Sequence, residues 1–233
     1  MNAILLAAGL GTRLKPITDS IPKCLIPIHG KPLLEIWLEK LENVGVQNYL
    51  INTHHLSDQV ESYIKKSRYS DRVTLSYESE LLGTAGTLLA NLDFFKGADG
   101  IFMHADNFMS ASLAPLLLAH RQRPTRCTVT MLTFPSEVPS ECGIVELDAE
   151  GVVYGFHEKV ATPPGNLANG AIYVLSAEFL HDLPQFFSSA KDFSRDILPH
   201  LVNKIYSYET SGTFMDIGTH RALRLLRGSE SLS

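Results

Sequence analysis

The chain has 233 residues, 45% of them hydrophobic and 19% charged, with a formal net charge of −5. That balance describes a soluble globular protein with one sizeable core and argues against a general nucleic-acid binder, which would present a basic face; a single nucleotide needs only local cations. The three cysteines, Cys24, Cys127 and Cys142, form no metal or disulfide pattern, no cationic leader precedes the first apolar run, and no run is long enough for a membrane span, so the chain reads as cytoplasmic with no membrane partner.

Residues 1–7 are apolar without alternation, the pattern of a strand buried on both faces. Residues 8–32 read as a long loop carrying Gly9, Gly11, Pro16, Pro22, Pro27, Gly30 and Pro32, and a loop of that length in a compact domain is usually functional. From Leu33 onward Leu34, Trp37, Leu38, Leu41 and Val44 share one helical face, and Gly45 stops the helix. A strand is expected at 46–53, then a helix N-capped by Ser57 and running to Lys66, with Val60 and Ile64 inward and Glu61 facing Lys65. A third strand covers 73–77. Leu82-Gly83-Thr84-Ala85-Gly86 opens a helix through Leu92, and a fourth strand at 100–104 ends at Ala105-Asp106-Asn107 before a helix at 113–121.

The second half is richer in strands, at 127–134, 143–147, 152–158, 171–175 and 205–209, with short helices at 177–183 and 193–201. A last amphipathic helix runs through Arg227, and the polar tail after Gly228 is expected to fray. The alternation predicts an α/β fold, Rossmann-like, with a mainly parallel mixed sheet flanked by helices. No repeat or linker interrupts it. The expectation is one domain over 1–228, with a nucleotide-binding half at about 1–125, a half for a second substrate at about 126–228, and a tail at 229–233.

The loop Gly9-Leu10-Gly11-Thr12-Arg13 is not a dinucleotide fingerprint, because Leu14 occupies the third glycine position; nor is Gly30-Lys31 part of a P-loop, because no glycine lies five residues before Gly30. Its physics is still clear: glycines let backbone N–H groups face phosphate oxygens, Arg13 can make paired hydrogen bonds to phosphate, and Lys23 adds a compact charge. The same residues also suit a tight strand-to-helix turn beside two surface cations. Asp106 ends the fourth strand, at the edge where open α/β sheets bind ligands. Asp216 lies between Phe214 and Ile217, an apolar setting in which a carboxylate needs a partner or a metal. Two carboxylates converging on one point would hold Mg²⁺. Singly, Asp106 also suits a helix cap and Asp216 an ion pair. Glu158-Lys159 ends a strand and Asn169-Gly170 follows. Lys159 offers charge to a second phosphate, and Glu158 and Asn169 offer hydrogen bonds to sugar hydroxyls; an exposed pair on an edge strand fits the same residues. The nine histidines show no metal-ligand spacing, and no Gly-x-Ser-x-Gly elbow is present.

Taken in order, Leu6-Ala7-Ala8-Gly9-Leu10-Gly11-Thr12-Arg13-Leu14, Pro22-Lys23, Gly30-Lys31-Pro32-Leu33-Leu34, Leu82-Gly83-Thr84-Ala85-Gly86, Ala105-Asp106-Asn107, Cys142-Gly143, Glu158-Lys159, Asn169-Gly170-Ala171-Ile172-Tyr173 and Asp216-Ile217-Gly218-Thr219 resemble the signature of sugar-1-phosphate nucleotidyltransferases. The resemblance covers essentially the whole chain. It implies that an NTP and a sugar 1-phosphate give an NDP-sugar and pyrophosphate, with no enzyme nucleophile, by positioning and charge stabilisation. Arg13 and Lys23 would be catalytic. Leu6, Ala8, Gly9, Gly11 and Thr12 with Arg13 and Lys23, and Gly83, Thr84 and Ala85 at the base, would hold the nucleotide. Asp106 and Asp216 would hold Mg²⁺; Asn107, Gly143, Glu158, Lys159 and Asn169 would bind the sugar phosphate.

Ala105 stands where the family often has glycine, Val160 where it has proline after Glu-Lys, and Cys142 where an aromatic often precedes the sugar-strand glycine; the last two leave the sugar open. No segment corresponds to the β-helix of longer members. The length and the Leu-Gly-Thr-Ala-Gly and Asn-Gly-Ala-Ile-Tyr segments look closest to small bacterial guanylyltransferases acting on mannose or heptose 1-phosphate, which favours GTP. UTP, dTTP or CTP, and a non-sugar phosphate such as phosphocholine, stay open, as does a nucleotide-sugar-sensing subunit without catalysis. Homo-oligomers are common in the family. A glycosyltransferase is disfavoured, because Asp106 is followed by Asn107-Phe108 and not by an Asp-x-Asp pattern.

Overall fold

The structure is a computed structural model that describes residues 1–228; the tail expected at 229–233 lies outside the described residues. β1 (Asn2–Leu6) is buried at every position, as its unbroken apolar run requires. The stretch expected to be loop is largely built structure: 3₁₀ turns at Thr12–Leu14, Ile17–Asp19 and Lys23–Leu25, then a two-residue ladder between β2 (Pro27–Ile28) and β3 (Lys31–Pro32). α1 (Leu33–Glu42) buries Leu34, Trp37, Leu38 and Leu41, and Gly45 ends it at φ 82 while the Val46 N–H reaches back 3.0 Å to the Leu41 carbonyl. β4 (Asn48–Thr53), α2 (Ser57–Lys66), β5 (Val73–Tyr77), α3 (Gly83–Ala90), β6 (Gly100–His104), β7 (Asn107–Met109) and α4 (Ala114–Gln122) follow. The second half supplies β8 (Val129–Pro135), β9 (Gly143–Leu147), β10 (Val153–Glu158), β11 (Leu167–Leu175), α5 (Ala177–Phe187), β12 (Ile205–Glu209), β13 (Phe214–Asp216) and α6 (His220–Gly228).

Among the described residues the large sheet has nine strands, in the order β10-β9-β11-β6-β1-β4-β5, with β8 pairing both β11 and β12. The β6-β1-β4-β5 portion is parallel, and β11 joins it antiparallel to β6, so the sheet is the mixed, helix-flanked one expected. From β1 the chain moves to β4 and β5 on one side, then crosses to β6 on the other. The order therefore reverses at β1, and the crevice at such a reversal is where open α/β sheets take ligands. Alternate residues of β1 feed two cores: Ala3 and Leu5 pack with Trp37 and Leu38 of α1, and Ile4 and Leu6 with Leu88 of α3 and Leu183 of α5. Both cores also take residues from the second half, Ile172 and Val174 in one and Val129 and Tyr173 in the other.

Ser57 is not an N-cap. Leu56 holds that position in the left-handed region at φ 53, without a side-chain cap, and Ser57 is already helical. The helix expected at 193–201 is instead a π turn at Phe193–Ile197 and a 3₁₀ turn at Leu198–Leu201, because Pro199 has no N–H to continue an α ladder. The strand expected at 171–175 begins at Leu167 and passes through a bulge, with Ala171 at φ 53. β7 and β13 are strands that the sequence pattern does not mark. Among the described residues no helix is long and apolar enough to cross a membrane.

Candidate active site

The loop after β1 is fixed at several points. The Oδ1 of Asn52, which lies beside Leu6 in the parallel ladder, accepts from the N–H groups of Ala7 at 2.7 Å and Ala8 at 3.3 Å. The Gly11 carbonyl accepts from Leu14 N at 2.8 Å and Thr18 Oγ1 at 2.9 Å. Gly11 sits at φ 62, where an added Cβ would lie 2.7 Å from Thr18 Cγ2, so both backbone and space require glycine. Gly9 is exposed on the loop and Arg13 follows it into solvent.

The short ladder between β7 and β13 pairs Asn107 with Asp216, and the Ile217 N–H reaches the Asp106 carbonyl at 3.4 Å. This brings the two aspartates together from distant parts of the chain, and Lys23 lies between them. Its Nζ is 2.6 Å from Asp106 Oδ2 and 3.3 Å from Asp216 Oδ1, with a side chain only 7% exposed. Arg13 Nη2 approaches Asp216 Oδ2 at 3.3 Å from the solvent side. Gly218 leaves room for that pair, since a Cβ there would lie 2.6 Å from Arg13 Nη2, and its N–H donates to Asp216 Oδ1 at 2.7 Å. Burial pulls the Lys23 ammonium pKa down, but the two aspartates more than offset it and the net shift is upward. Burial likewise pushes Asp106 up, and Lys23, His104 and hydrogen bonds outweigh it, leaving the carboxyl below its usual range. Asp216, expected from its apolar flanks to be buried, has a side chain 50% exposed, because β13 is short and lies at the surface.

Beside this cluster a cleft of about 230 Å³ is lined by Leu6, Ala8 and Gly9 from the loop, Gly83 and Thr84 from α3, and Asp106 and His104 from the end of β6. Gly83 is at φ 79 with the Lys191 carbonyl packed against it. Ala85 does not line the cleft; it is fully buried, and its N–H donates to that carbonyl at 2.9 Å. The Thr84 hydroxyl accepts from Phe193 N at 2.7 Å.

Gly143, Glu158 and Lys159 gather where β9 and β10 pair, apart from the 230 Å³ cleft. A Cβ on Gly143 would lie 2.6 Å from Glu158 Oε2. Burial raises the Glu158 carboxyl pKa, with Lys159 only partly countering it. Lys159 occupies the left-handed region at φ 51, a strained conformation of the kind that collects at ligand sites. Asn107 and Asn169 both brace the β11 bulge. Asn107 Nδ2 donates to the Gly170 carbonyl at 3.0 Å, Asn169 Oδ1 accepts from Ala171 N at 2.9 Å, and Asn169 Nδ2 donates to the Tyr173 hydroxyl at 2.7 Å.

Asn52, Glu78, Thr87 and His104 also line the cleft, and no sequence motif singles them out. The available signal is position: Asn52, Glu78 and His104 are polar residues at or just past the carboxyl ends of three parallel strands, β4, β5 and β6.

The donor set at Asp106 and Asp216 is two accessible carboxylates that already meet at one cation. It suits Mg²⁺, with phosphate oxygens and water filling the other positions. Among the described residues no group of three or more His, Cys, Asp or Glu is placed to hold a metal, so such a site would be completed by ligand and water.

Residues 2–227 match the family described as "Nucleotidyl transferase". A UTP–glucose-1-phosphate uridylyltransferase of Synechocystis sp. is 31% identical over 94% of this chain, which spans 60% of that protein's length. A D-glycero-alpha-D-manno-heptose 1-phosphate guanylyltransferase of Campylobacter jejuni is 32% identical over 78% of this chain and 79% of its own. The crystal structure of HddC from Yersinia pseudotuberculosis, complexed with GMP-PN, superposes with a TM-score of 0.79 at 25% identity, over 98% of this chain and 99% of that one. With the glycine loop, the paired carboxylates and the sheet reversal on one side of the molecule, and a family match along nearly its whole length, the chain belongs to the nucleotidyl transferase family.

Proposed function

We propose that this chain is a sugar-1-phosphate nucleotidyltransferase that takes GTP by preference and a sugar 1-phosphate of mannose or heptose type. The observation that carries the reading is the meeting of Lys23, Asp106, Asp216 and Arg13 beside the glycine loop at the sheet reversal. A phosphate oxygen of the sugar 1-phosphate attacks the α-phosphorus of the NTP; the bond from that phosphorus to the β-phosphate bridging oxygen breaks, and pyrophosphate leaves with the electron pair. The attacking phosphate is already ionised at neutral pH, so no side chain need take a proton. The loop N–H groups and the exposed Arg13 guanidinium hold the leaving pyrophosphate. Lys23, anchored by two carboxylates, presents a fixed charge beside the α-phosphate with no reorganisation during reaction. Lys159 takes the sugar phosphate and Glu158 the sugar hydroxyls. Asp106 and Asp216 would hold Mg²⁺, which supplies charge neutralisation on the reacting phosphates. The three cysteines are free thiols, in keeping with reaction in the cytoplasm.

The heptose guanylyltransferase relative and the GMP-PN complex of HddC support GTP, while the uridylyltransferase relative keeps UTP with glucose 1-phosphate as the second pairing to try. The test is pyrophosphate release across a matrix of GTP, UTP, CTP and dTTP with mannose, heptose and glucose 1-phosphates in Mg²⁺. Highest turnover with GTP and mannose or heptose 1-phosphate is expected. Silence across the matrix with folded protein would sink the reading.

A further inference from the structure

We infer that Asn52 is a positioning residue for the nucleotide, acting through a buried Asn52–Glu78–Thr87 cluster that ties the phosphate loop to the start of α3. The inference rests on the proposed nucleotide site. Asn52 uses both ends of its amide. Oδ1 takes the Ala7 and Ala8 N–H groups just where β1 leaves its ladder, and Nδ2 donates to Glu78 Oε1 at 2.9 Å and Thr87 Oγ1 at 3.2 Å. Glu78 is 4% exposed. Its Oε1 also accepts from the Thr87 hydroxyl at 2.5 Å and its Oε2 from Leu82 N at 3.0 Å. Its own backbone is pinned as well, with N–H donating to the Thr53 carbonyl at 2.9 Å and the carbonyl 2.7 Å from His54 Nδ1.

Among the described residues no cation pairs with Glu78. A buried carboxylate held only by neutral donors is a costly way to join two elements; an apolar contact of similar shape would serve stability better. What the polar cluster adds is a fixed distance. Ala8 on one wall of the cleft and Gly83 and Thr84 on the other are each within a few bonds of a group hydrogen-bonded to Asn52 or Glu78. The spacing between the phosphate-facing loop and the base-facing turn is thus set by one amide and one carboxylate. Alternation of donor and acceptor along the chain of bonds is essential to it.

The alternation gives the test. Asn52→Asp keeps the acceptor for Ala7 and Ala8 but opposes two carboxylates. Glu78→Gln sets an amide N–H₂ against either Leu82 N–H or Asn52 Nδ2. The double variant, Asn52→Asp with Glu78→Gln, restores the bond between positions 52 and 78 with its direction reversed and keeps the backbone N–H donors in place. The amide now at position 78 donates to the carboxylate now at position 52 and accepts from Leu82 N, and the Thr87 hydroxyl donates to that same carboxylate. We would measure Kd for GTP, UTP, CTP and dTTP with Mg²⁺ by calorimetry, KM for both substrates, and urea unfolding. Expected is a loss of about tenfold or more in NTP affinity in each single variant, sugar-phosphate KM changed by less than about twofold, and recovery to within about threefold in the double. NTP affinity unchanged in the single variants, an equal rise in both KM values, or a double variant no better than the singles would each overturn the positioning role. If Asn52→Asp does not fold, Glu78→Gln and the double carry the same comparison. A wild-type chain that binds NTP but releases no pyrophosphate refutes the proposed reaction and leaves this inference standing on the affinities; a wild-type chain that binds none of the four NTPs overturns both.

Discussion

Gly83 and Gly86 stand three residues apart in one motif, yet the structure gives them opposite tolerances. Gly83 is at φ 79, and an added Cβ would overlap the Lys191 carbonyl oxygen and lie 3.1 Å from its carbon. That carbonyl is backbone, held by the Ala85 N–H at 2.9 Å, and cannot swing aside. Alanine in the left-handed region costs about 1–2 kcal/mol, and forcing a methyl into packed backbone costs about as much again, so Gly83→Ala should lose about 3 kcal/mol. Gly86 lies inside α3 without a positive φ, and its Cβ would meet only Leu82 Cβ at 3.1 Å. Leu82 Cβ moves only with its backbone, so relieving that contact shifts the start of α3 by a few tenths of an ångström, a cost that the gain of about 1 kcal/mol in helix propensity offsets; Gly86→Ala should be neutral within about 1 kcal/mol. Urea unfolding of the two variants measures both. Gly83→Ala should also weaken NTP binding, because α3 or the 190–193 segment must shift at the cleft wall. A Gly83→Ala variant within about 0.5 kcal/mol of wild type would refute the reasoning, because neither the strain nor the overlap could then be real.

Asp216→Asn should cut turnover by about 100-fold or more and barely move the thermal midpoint, since this carboxylate is half exposed; a fully active variant would remove Asp216 from the reaction centre. Asp106→Asn should lose turnover and also about 1–2 kcal/mol of stability, because Lys23 is left buried without its shorter partner. Lys23→Met should lose about 2 kcal/mol in the absence of divalent metal, less than for a fully buried pair because both aspartates reach solvent; added Mg²⁺ should stabilise this variant more than wild type, and equal responses in urea melts would argue against a metal at the two carboxylates. Burial, aided by Arg123 and opposed by Asp99, holds the His120 imidazole down to about 4. The unfolded chain therefore takes up a proton before the folded one does. Stability present above about pH 6.5 is lost as pH falls toward 4, by about 3 kcal/mol, and His120→Gln should flatten that part of the pH–stability curve.

What can be read from the sequence depends on how local its cause is. β1, β6 and β9 follow from apolar runs and their punctuation, β5 and β12 from short stretches rich in β-branched and aromatic residues, and α1 from its 3.6-residue period with Gly45 at the end. The loop residues and Asp106 are legible because a glycine turn and a carboxylate at strand ends carry their own chemistry. That Asp106 and Asp216 meet is legible only through the family resemblance. The meeting depends on a three-residue ladder between β7 and β13, and no nearby residue encodes a pairing across so much chain. Lys23 illustrates a different gap. In the sequence its charge stands as an independent phosphate ligand, but its geometry is set by the aspartates that the sequence offers as metal ligands. Cation and carboxylates form one unit, in which each holds the others in place beside the cleft.

The asparagines, too, are placed by their partners. Asn107 and Asn169 suit sugar contacts by resemblance, but each spends amide atoms on the β11 bulge. Asn169 is held at both amide ends, and a Cβ on Gly170 in the same bulge would lie 2.6 Å from Leu132 Cδ2. Asn52, which no motif marks, spends its amide on the loop that the motifs mark most strongly. The first N–H groups past β1 need partners, and a partner from outside the loop satisfies them without closing the loop over the cleft. In this fold one side-chain oxygen from the neighbouring strand does that, leaving Gly9 and Leu10 exposed. The exposed face of the loop is thus set from outside it: the neighbouring strand takes the Ala7 and Ala8 N–H groups and leaves those beyond free to meet a ligand or water.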